Sequence, residues 1–258
     1  MPSPHELTEL PEMHTAPVAR RFSAAAQHYE QAAHIQKQAA SLFDAWLADL
    51  HLGTPARIAE IGCGTGLLTR LLHARYPDAA LLATDLAPAM LEYCRNTLGA
   101  TSNIQYQVCD GRAACFDPVP DWIVSAMCFQ WFDPLLPVLR HHLAQSRVLA
   151  FSLMLDGSFL EWRAAHAQLG LLPGLRTCPD YDTLLQACRE MGASRIHAQR
   201  ISLTEQHANG LLFADSLRII GADQPRPGYQ PINLRPVLRQ LQNGVHANYE
   251  IGFFCIEK

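Results

Sequence analysis

Apolar and polar residues follow two different rhythms along this chain. Within residues 20–50, apolar side chains return every three or four positions, which is the spacing of an amphipathic helical stretch. From residue 57 onward, short apolar runs of strand length alternate with helical patterns. The runs are at 57–61, 79–84, 104–108, 122–126 and 148–153, and the helical patterns between them at 67–76, 88–98 and 134–144. Such alternation predicts a parallel sheet covered by helices on both faces.

The regular alternation ends after residue 155. Segments 156–180 and 207–246 hold glycine, proline and short helical patterns, whereas 181–191 reads as a helix, and 194–203 and 249–256 read as strands. We therefore expect a tail at 1–19 that is flexible and a single domain at 20–258. Within that domain, 20–55 is an N-terminal helical segment, 56–155 a cofactor-binding core, 156–180 and 207–246 a cap, and 181–206 with 247–258 the rest of the sheet.

Composition narrows the class of protein. Of 258 residues, 49% are hydrophobic and 17% charged, which excludes a disordered chain, and a net charge of −4 gives no reason to expect nucleic acid as a partner. No apolar run is long enough to span a bilayer, and the first residues lack a signal-peptide pattern. The eight cysteines show neither C-x-x-C nor zinc spacing, so we expect reduced thiols and no metal. These features predict a cytoplasmic protein that does not bind membranes.

A glycine-rich loop, Glu60-Ile-Gly-Cys-Gly-Thr-Gly66, follows the first predicted strand and opens a helix. Glycines let a ligand approach the backbone, and the helix N-terminus offers free N–H groups. The dinucleotide pattern G-x-G-x-x-G would need a small residue at position 67, where this chain has leucine. The loop instead resembles the E-x-G-x-G-x-G signature of class I S-adenosylmethionine-dependent methyltransferases.

This resemblance implies the fold and the cofactor site of that superfamily. The fold is α/β and Rossmann-like: a seven-stranded, mostly parallel sheet with helices on both faces, an N-terminal helix and a helical cap. Asp85, at the end of the second strand, is placed to accept both ribose hydroxyls, and Asp110 with Gly111 resembles the adenine-binding loop. The residues expected to bind S-adenosylmethionine are Glu60, Gly62, Cys63, Gly64, Thr65, Gly66, Asp85, Leu86, Met90, Asp110, Gly111, Ala126 and Met127.

Nearly the whole chain resembles a narrower family, the malonyl-[acyl-carrier protein] O-methyltransferases of biotin synthesis. Residues 21–36 match its opening pattern F-x-x-A-A-x-x-Y-[DE]-x-x-A-x-x-Q, and further matches lie at 125–131, 157–161, 216–222 and 248–250. The chain departs from the family where a Pro-Gly-Gly turn usually precedes the fifth strand, and at Trp162, where leucine is frequent. The segment 112–121 is also shorter and richer in proline than the corresponding segment usually is in the family.

The resemblance implies transfer of a methyl group to the free carboxylate of a malonyl thioester. The thioester is carried by acyl-carrier protein or coenzyme A, and its methyl ester primes the pimeloyl chain. Two alternatives stay open: a methyltransferase for a small free carboxylic acid of the aconitate type, and a cofactor-binding protein without catalysis.

An ionised carboxylate needs no general base, so candidates are side chains that hold it. Arg163 is the first, because guanidinium matches a carboxylate with two hydrogen bonds, although it could be a surface arginine. Tyr29, Gln130 and Trp131 are the others, with packing as the alternative for the two aromatic residues. We expect three histidines on the surface, namely His28, His141 and His142, and an acidic carrier protein against the arginines of the cap, namely Arg218, Arg226, Arg235 and Arg239.

Overall fold

The computed structural model describes residues 15–99 and 101–258, and its centre is a seven-stranded sheet. In chain order the strands are β1 (Arg57–Ile61), β2 (Ala80–Asp85), β3 (Ile104–Val108), β4 (Trp122–Ala126), β5 (Val148–Met154), β6 (Arg195–His207) and β7 (Val245–Glu257). They are arranged in the order β3-β2-β1-β4-β5-β7-β6. The first five pair in parallel, and β7 is antiparallel to both of its neighbours. The predicted fold class is confirmed.

Helices cover the sheet on both sides. Before the sheet come α1 (Thr15–Ala25), α2 (Tyr29–Ala32) and α3 (His34–Asp49). Within it come α4 (Leu67–Arg75), α5 (Pro88–Leu98), α6 (Leu135–Ala144), α7 (Leu160–Ala167), α8 (Tyr181–Arg189), α9 (Gly210–Ile219) and α10 (Arg235–Gln240). The helices α7, α9 and α10 form the cap. No helix of the described residues is both long and apolar enough to cross a bilayer.

The core lies on the two faces of the sheet because neighbouring strand residues point in opposite directions. Along β5, Val148 and Ala150 join a cluster with α3, α4 and the cap, whereas Leu149 and Phe151 join a second cluster with α6 and α8. Strands buried on both faces read as continuous apolar runs, and this is the reason that the sequence pattern located them well.

The N-terminal segment differs from its prediction. The expected single stretch at 20–50 is three helices, and the first begins at Thr15, inside the segment 1–19 that we expected to be a tail. The chain bends between α1 and α3 without proline or glycine, so the apolar spacing gave no sign of the break. Residues 1–14 lie outside the described residues.

The last two strands are longer than predicted. The pairing of β6 with β7 continues from Leu203 with Tyr249 to His207 with Val245. This extension takes residues at both ends of the second cap segment, 207–246, into the sheet. Since β6 is an edge strand with polar residues at 204–207, its end has no apolar signal that a sequence pattern could detect.

The packing of the glycine loop on α5 can be tested at Gly66. This residue has φ +90°, and a Cβ there would lie 2.6 Å from Cys94 Sγ. Gly64, with φ +55°, has open space around the same position and is a matched control. We expect Gly66→Ala to lower the free energy of unfolding by about 2 to 4 kcal/mol, from backbone strain plus overlap, and Gly64→Ala by about 1 kcal/mol.

Urea denaturation without added ligand measures both changes. Adding Cys94→Ala to Gly66→Ala should restore part of the loss, because it removes the overlapping sulfur atom. Equal losses in the two glycine variants would show that the contact with Cys94 does not constrain the loop.

Candidate functional site

A cavity of about 310 Å³ opens at the carboxyl ends of β1, β2 and β4. This is the edge at which open parallel sheets bind ligands, because strand ends and helix N-termini converge there. The glycine loop between β1 and α4 forms its floor, and the residues after β2, β3 and β4 form its walls. Its size is at the lower end of the range for small-molecule sites.

The Asp85 carboxylate fixes the shape of the glycine loop. Its Oδ2 accepts a hydrogen bond from Gly64 N at 2.8 Å, and its Oδ1 accepts one from Ala87 N at 2.8 Å. Burial raises the pKa of Asp85, and the hydrogen bonds from Ala87, Gly64 and Leu86 oppose that shift. Each carboxylate oxygen keeps a second lone pair, so the group can still accept two hydroxyl protons from a ligand.

Glu60, in β1, places a second carboxyl group on the cavity wall. It is 1% exposed, and Thr69 Oγ1 donates a hydrogen bond to its Oε2 at 2.7 Å. Burial raises the pKa of Glu60 to about 7; Asp85 adds to the rise, while Thr69 and Arg70 oppose it. The carboxyl group is therefore close to half ionised at neutral pH, and a cation in the cavity would favour its charged form.

Asp110 and Gly111 form the far wall of the cavity, and two buried side chains hold them. Arg112 donates to Asp110 Oδ2 from Nη2 at 2.7 Å, and His142 Nε2 donates to Gly111 O at 2.6 Å. Burial lowers the pKa of His142 to about 4, so its ring is neutral. The expectation that His142 lies on the surface is wrong, because its ring is fully buried beside the rings of Phe116 and Phe129.

The helix α1 covers this cavity. Val18, Ala19 and Phe22 line it from above, and the end of α1 packs against the start of α5. An ion pair between Arg21 and Asp223 joins α1 to the cap, and Phe22 meets the Trp131 ring edge-on with 5.4 Å between centroids. The cover and the cap are thus in direct contact.

A second cavity, of about 320 Å³, lies under the cap. Its apolar end is formed by Phe159, Trp162 and Phe213. Six residues line both cavities: Phe22, Tyr29, Gln36, Met127, Trp131 and Arg176. We call this set the junction. Met127 has φ +52°, a strained conformation that its N–H bond to Ser152 O at 2.9 Å helps to hold.

The structure brings together most of the residues expected to bind the cofactor. All of them line the first cavity except Gly66, which instead packs against α5 at the start of α4. Tyr29 and Trp131 are at the junction, while Arg163 and Gln130 line only the second cavity.

The contacts of three of the four proposed catalytic residues show which donor or acceptor atoms each has left for a substrate. Gln130 Nε2 already donates to Met127 O at 2.7 Å, and its Oε1 is buried with no partner among the described residues, so it offers an acceptor. Arg163 Nε donates to Ser158 O at 2.8 Å, and its Nη2 is 3.7 Å from Asp156 Oδ1. Burial, with Asp85 second, raises the pKa of Tyr29, so its hydroxyl stays neutral.

Sequence reasoning missed several residues of the site. Arg176 was one of two arginines in the irregular segment 156–180, and nothing near it in the sequence marked it as a site residue. Val18 and Ala19 belonged to the expected tail. Phe22 and Gln36 stood in the family pattern at 21–36 and could have been found there, as Tyr29 was.

Comparisons with known proteins agree with this geometry. Residues 58–146 match the family described as "Methyltransferase domain". A malonyl-[acyl-carrier protein] O-methyltransferase of Magnetococcus marinus is 32% identical over 237 residues, covering 89% of this chain and 87% of that protein. The chain belongs to the malonyl-[acyl-carrier protein] O-methyltransferase family. The predictions of the family, the enzyme class and S-adenosylmethionine as cofactor are confirmed.

The chain is also similar to a second relative and to a solved structure. A biotin biosynthesis bifunctional protein of Bordetella avium is 36% identical over 244 residues, and the match covers 92% of this chain. The chain spans about half, 51%, of that protein's length. The magnesium protoporphyrin IX methyltransferase of Synechocystis, solved with S-adenosylhomocysteine, has a TM-score of 0.56 at 14% identity, covering 90% of this chain and 88% of that one. At that identity the likeness shows the fold alone.

The first cavity fits the cofactor of this family. S-adenosylmethionine brings two cationic groups and donors on its ribose and adenine, and the cavity offers the carboxyl groups of Glu60, Asp85 and Asp110. Thr65 Oγ1 is buried on the same wall without a partner among the described residues, and such an orphaned hydroxyl fits a polar ligand.

The raised pKa of Glu60 predicts a pH dependence of cofactor affinity. Because the ionised carboxylate attracts a cationic ligand, S-adenosylmethionine should bind about tenfold more tightly at about pH 8 than at about pH 6. Glu60→Gln should abolish most of this rise. Calorimetric titration of both proteins across this range measures it.

Stability without the cofactor should change in the opposite direction. The folded protein holds the Glu60 proton more tightly than the unfolded chain, so its stability should fall as the pH rises from about 4.5 to about 7. In Glu60→Gln this fall should be smaller. A wild-type affinity that does not vary with pH would place the charge of Glu60 outside cofactor binding.

Proposed function

We propose that the protein transfers the methyl group of S-adenosylmethionine to the free carboxylate of a malonyl thioester. The thioester is carried by acyl-carrier protein or coenzyme A, and the product is the methyl ester that primes the pimeloyl chain of biotin. The single observation that carries the proposal is the composition of the junction. Of the six residues that line both cavities, none is Asp, Glu or His, and one is a cation, Arg176.

An acceptor that arrives as an anion fits this composition. A carboxylate has a pKa of about 4, so its oxygen is already nucleophilic at neutral pH, whereas an alcohol or ammonium acceptor would need a base at the junction. The described residues supply none there, since Tyr29 is held neutral by burial. The carboxylate oxygen forms a bond to the methyl carbon while the carbon–sulfur bond breaks and its electron pair stays on sulfur. No proton moves.

Catalysis then depends on alignment and on the exclusion of water. The carboxylate oxygen must approach the methyl carbon to about 3 Å in line with the breaking bond. The cover formed by α1 and the edge-on contact of Phe22 with Trp131 close the junction from above. We assign to Tyr29 and Trp131 the positioning of the acceptor, and to Gln130 and Arg163 contacts with the parts of the substrate that lie in the second cavity.

The extent of the second cavity favours a thioester over a small free acid. Its volume of about 320 Å³ continues past the junction to the apolar end under the cap, which leaves room for the arm that carries the acyl group. The aconitate-type alternative has no support in the relatives compared above, whose names specify malonyl-[acyl-carrier protein] or biotin biosynthesis. We further propose a cytoplasmic location, since all eight cysteines are unpaired, as expected of reduced thiols.

Mass spectrometry of intact carrier protein tests the reaction. Malonyl-carrier protein incubated with the enzyme and S-adenosylmethionine should gain the mass of one methylene group, and S-adenosylmethionine with a CD₃ group should enlarge that gain by the mass difference between CD₃ and CH₃. Acetyl-carrier protein, which has no free carboxylate, is the control and should not change. Methylation of aconitate in place of the malonyl thioester would move the protein to the alternative function.

The carrier protein is expected to dock on the cap. Arg235 and Arg239 lie on α10, are exposed and form no ion pair among the described residues, whereas Arg218 is paired with Asp215 at 2.8 Å. Free surface cations attract an acidic partner and raise its rate of association.

Reversal of two charges measures this attraction. Arg235→Glu with Arg239→Glu should raise the KM for malonyl-carrier protein severalfold, more at low salt than at high salt, because exposed charges are screened within about 8 Å at physiological ionic strength. Arg218→Glu is the matched control, because this arginine already has a partner. The KM for malonyl-coenzyme A should change little. An equal effect on both substrates would assign the docking surface elsewhere.

A further inference from the structure

Arg176, in the first cap segment, lies where the two cavities meet. It lies in the irregular segment between α7 and α8, and it lines both cavities, as no other arginine among the described residues does. The segment that carries it is held from two sides. Gly174 O accepts a hydrogen bond from Arg226 N at 2.9 Å, and Asp156 N donates to Pro179 O at 2.9 Å. The side chain therefore projects from a fixed backbone rather than from a free loop.

The guanidinium group of Arg176 has few partners for its degree of burial. It lies over the Trp131 ring at 5.3 Å from the centroid, and its Nη2 donates one long hydrogen bond, of 3.5 Å, to Trp131 O. No carboxylate among the described residues pairs with it. Burial lowers its pKa, and the attraction of Asp133 only partly opposes that shift.

Several other partly buried arginines among the described residues are better paired. Arg112 binds Asp110 with two nitrogen atoms, Arg75 binds Asp44 in the same way, and Arg70 binds Glu30 at 2.9 Å. Arg163 uses Nε on a backbone carbonyl and approaches Asp156. Moving a guanidinium group out of water without an anionic partner costs free energy, and binding an anion offsets part of that cost.

We propose that Arg176 binds the free carboxylate of the acyl group at the junction and so selects dicarboxylic monothioesters over neutral acyl thioesters. The inference rests on the proposed function, whose substrate it specifies further. The Trp131 ring lies against the guanidinium group. The N–H groups that do not bond to Trp131 O can then donate two parallel hydrogen bonds to a carboxylate. Arg163, which lines only the second cavity, is then left to contact the thioester arm.

This assignment also accounts for the release of product. Methylation converts the carboxylate into a neutral ester, which keeps weak acceptors but loses its charge. The attraction to Arg176 therefore falls in the step that completes the reaction, and the methyl ester should bind more weakly than the malonyl substrate. A site that held the acyl group only by apolar contacts would bind the ester at least as well.

Binding measurements can isolate the carboxylate contact from the rest of the substrate. The enzyme is saturated with S-adenosylhomocysteine, which prevents turnover, and is titrated calorimetrically with malonyl-coenzyme A, its methyl ester and acetyl-coenzyme A. The wild type should prefer the malonyl thioester. Arg176→Gln should weaken the binding of malonyl-coenzyme A by about 10- to 100-fold, the range expected for charge-assisted hydrogen bonds. The affinity for acetyl-coenzyme A should not change.

Two further variants control the test. Arg163→Gln removes the other arginine that lines the second cavity and should weaken the binding of the malonyl and acetyl thioesters to the same extent. Arg176→Lys keeps the charge but not the two-pronged contact, so it should recover only part of the preference. The thermal unfolding midpoint of each variant without ligand, which should stay close to that of the wild type, reports that the protein is folded.

The outcomes separate the inference from the function on which it rests. Loss of affinity for both thioesters in Arg176→Gln would assign Arg176 a structural role, and a preference that survives in Arg176→Gln but not in Arg163→Gln would place the carboxylate at Arg163. Either result overturns the inference while the methylation of malonyl-carrier protein stands. Failure of the wild type to methylate any malonyl thioester would instead overturn the proposed function, and a wild type without preference would overturn the assignment of Arg176.

Discussion

The rest of the site depends on two hydrogen bonds to one carboxylate, that of Asp85. They run from Gly64 N and Ala87 N, and they tie the glycine loop after β1 to the loop after β2. A carboxylate kept out of water needs such donors, and the loops need an anion to orient their N–H groups, so each stabilises the other. The position of this anion then determines where a cofactor with hydroxyl donors can bind. It also sets the end of β2 against the start of α5, on which the cover α1 packs.

Charge is distributed unevenly between the two cavities. The first cavity is lined by the carboxyl groups of Glu60, Asp85, Asp110 and Asp133, of which Asp110 is paired with Arg112. The second is lined by Arg163 and by Asp223, which is paired with Arg21, and Arg176 belongs to the junction. In the proposed reaction, a cationic cofactor and an anionic acceptor would each bind against the opposite charge. The chemistry thus needs little from catalytic side chains, which explains why no acid–base pair appears at the junction.

Sequence reasoning succeeded where local pattern and structure coincide. The strand–loop–helix unit around Glu60 and the carboxylate of Asp85 could be located because a short strand, a glycine loop and a spacing of about 20 residues are all local features. The lengths of β6 and β7 could not, because the pairing partner, not the residue pattern, keeps the polar end of β6 extended. His142 was placed on the surface because its sequence neighbours do not show that it faces Gly111 O.

Arg176 shows most clearly what local sequence patterns cannot predict. The role proposed for it depends on a ring from another loop, Trp131, and on the lack of an ion pair with any carboxylate of the described residues. Neither feature can be recognised in the surrounding sequence. The same arrangement of charges bears on the proposed reaction step. Attack of an anion on a cation removes both charges, and a junction shielded from water favours such a step because the reactants are no longer stabilised by solvent. Fixed cations and anions must then keep the two reactants bound until the bond forms, and this is the task that we propose for the separated charges of the two cavities.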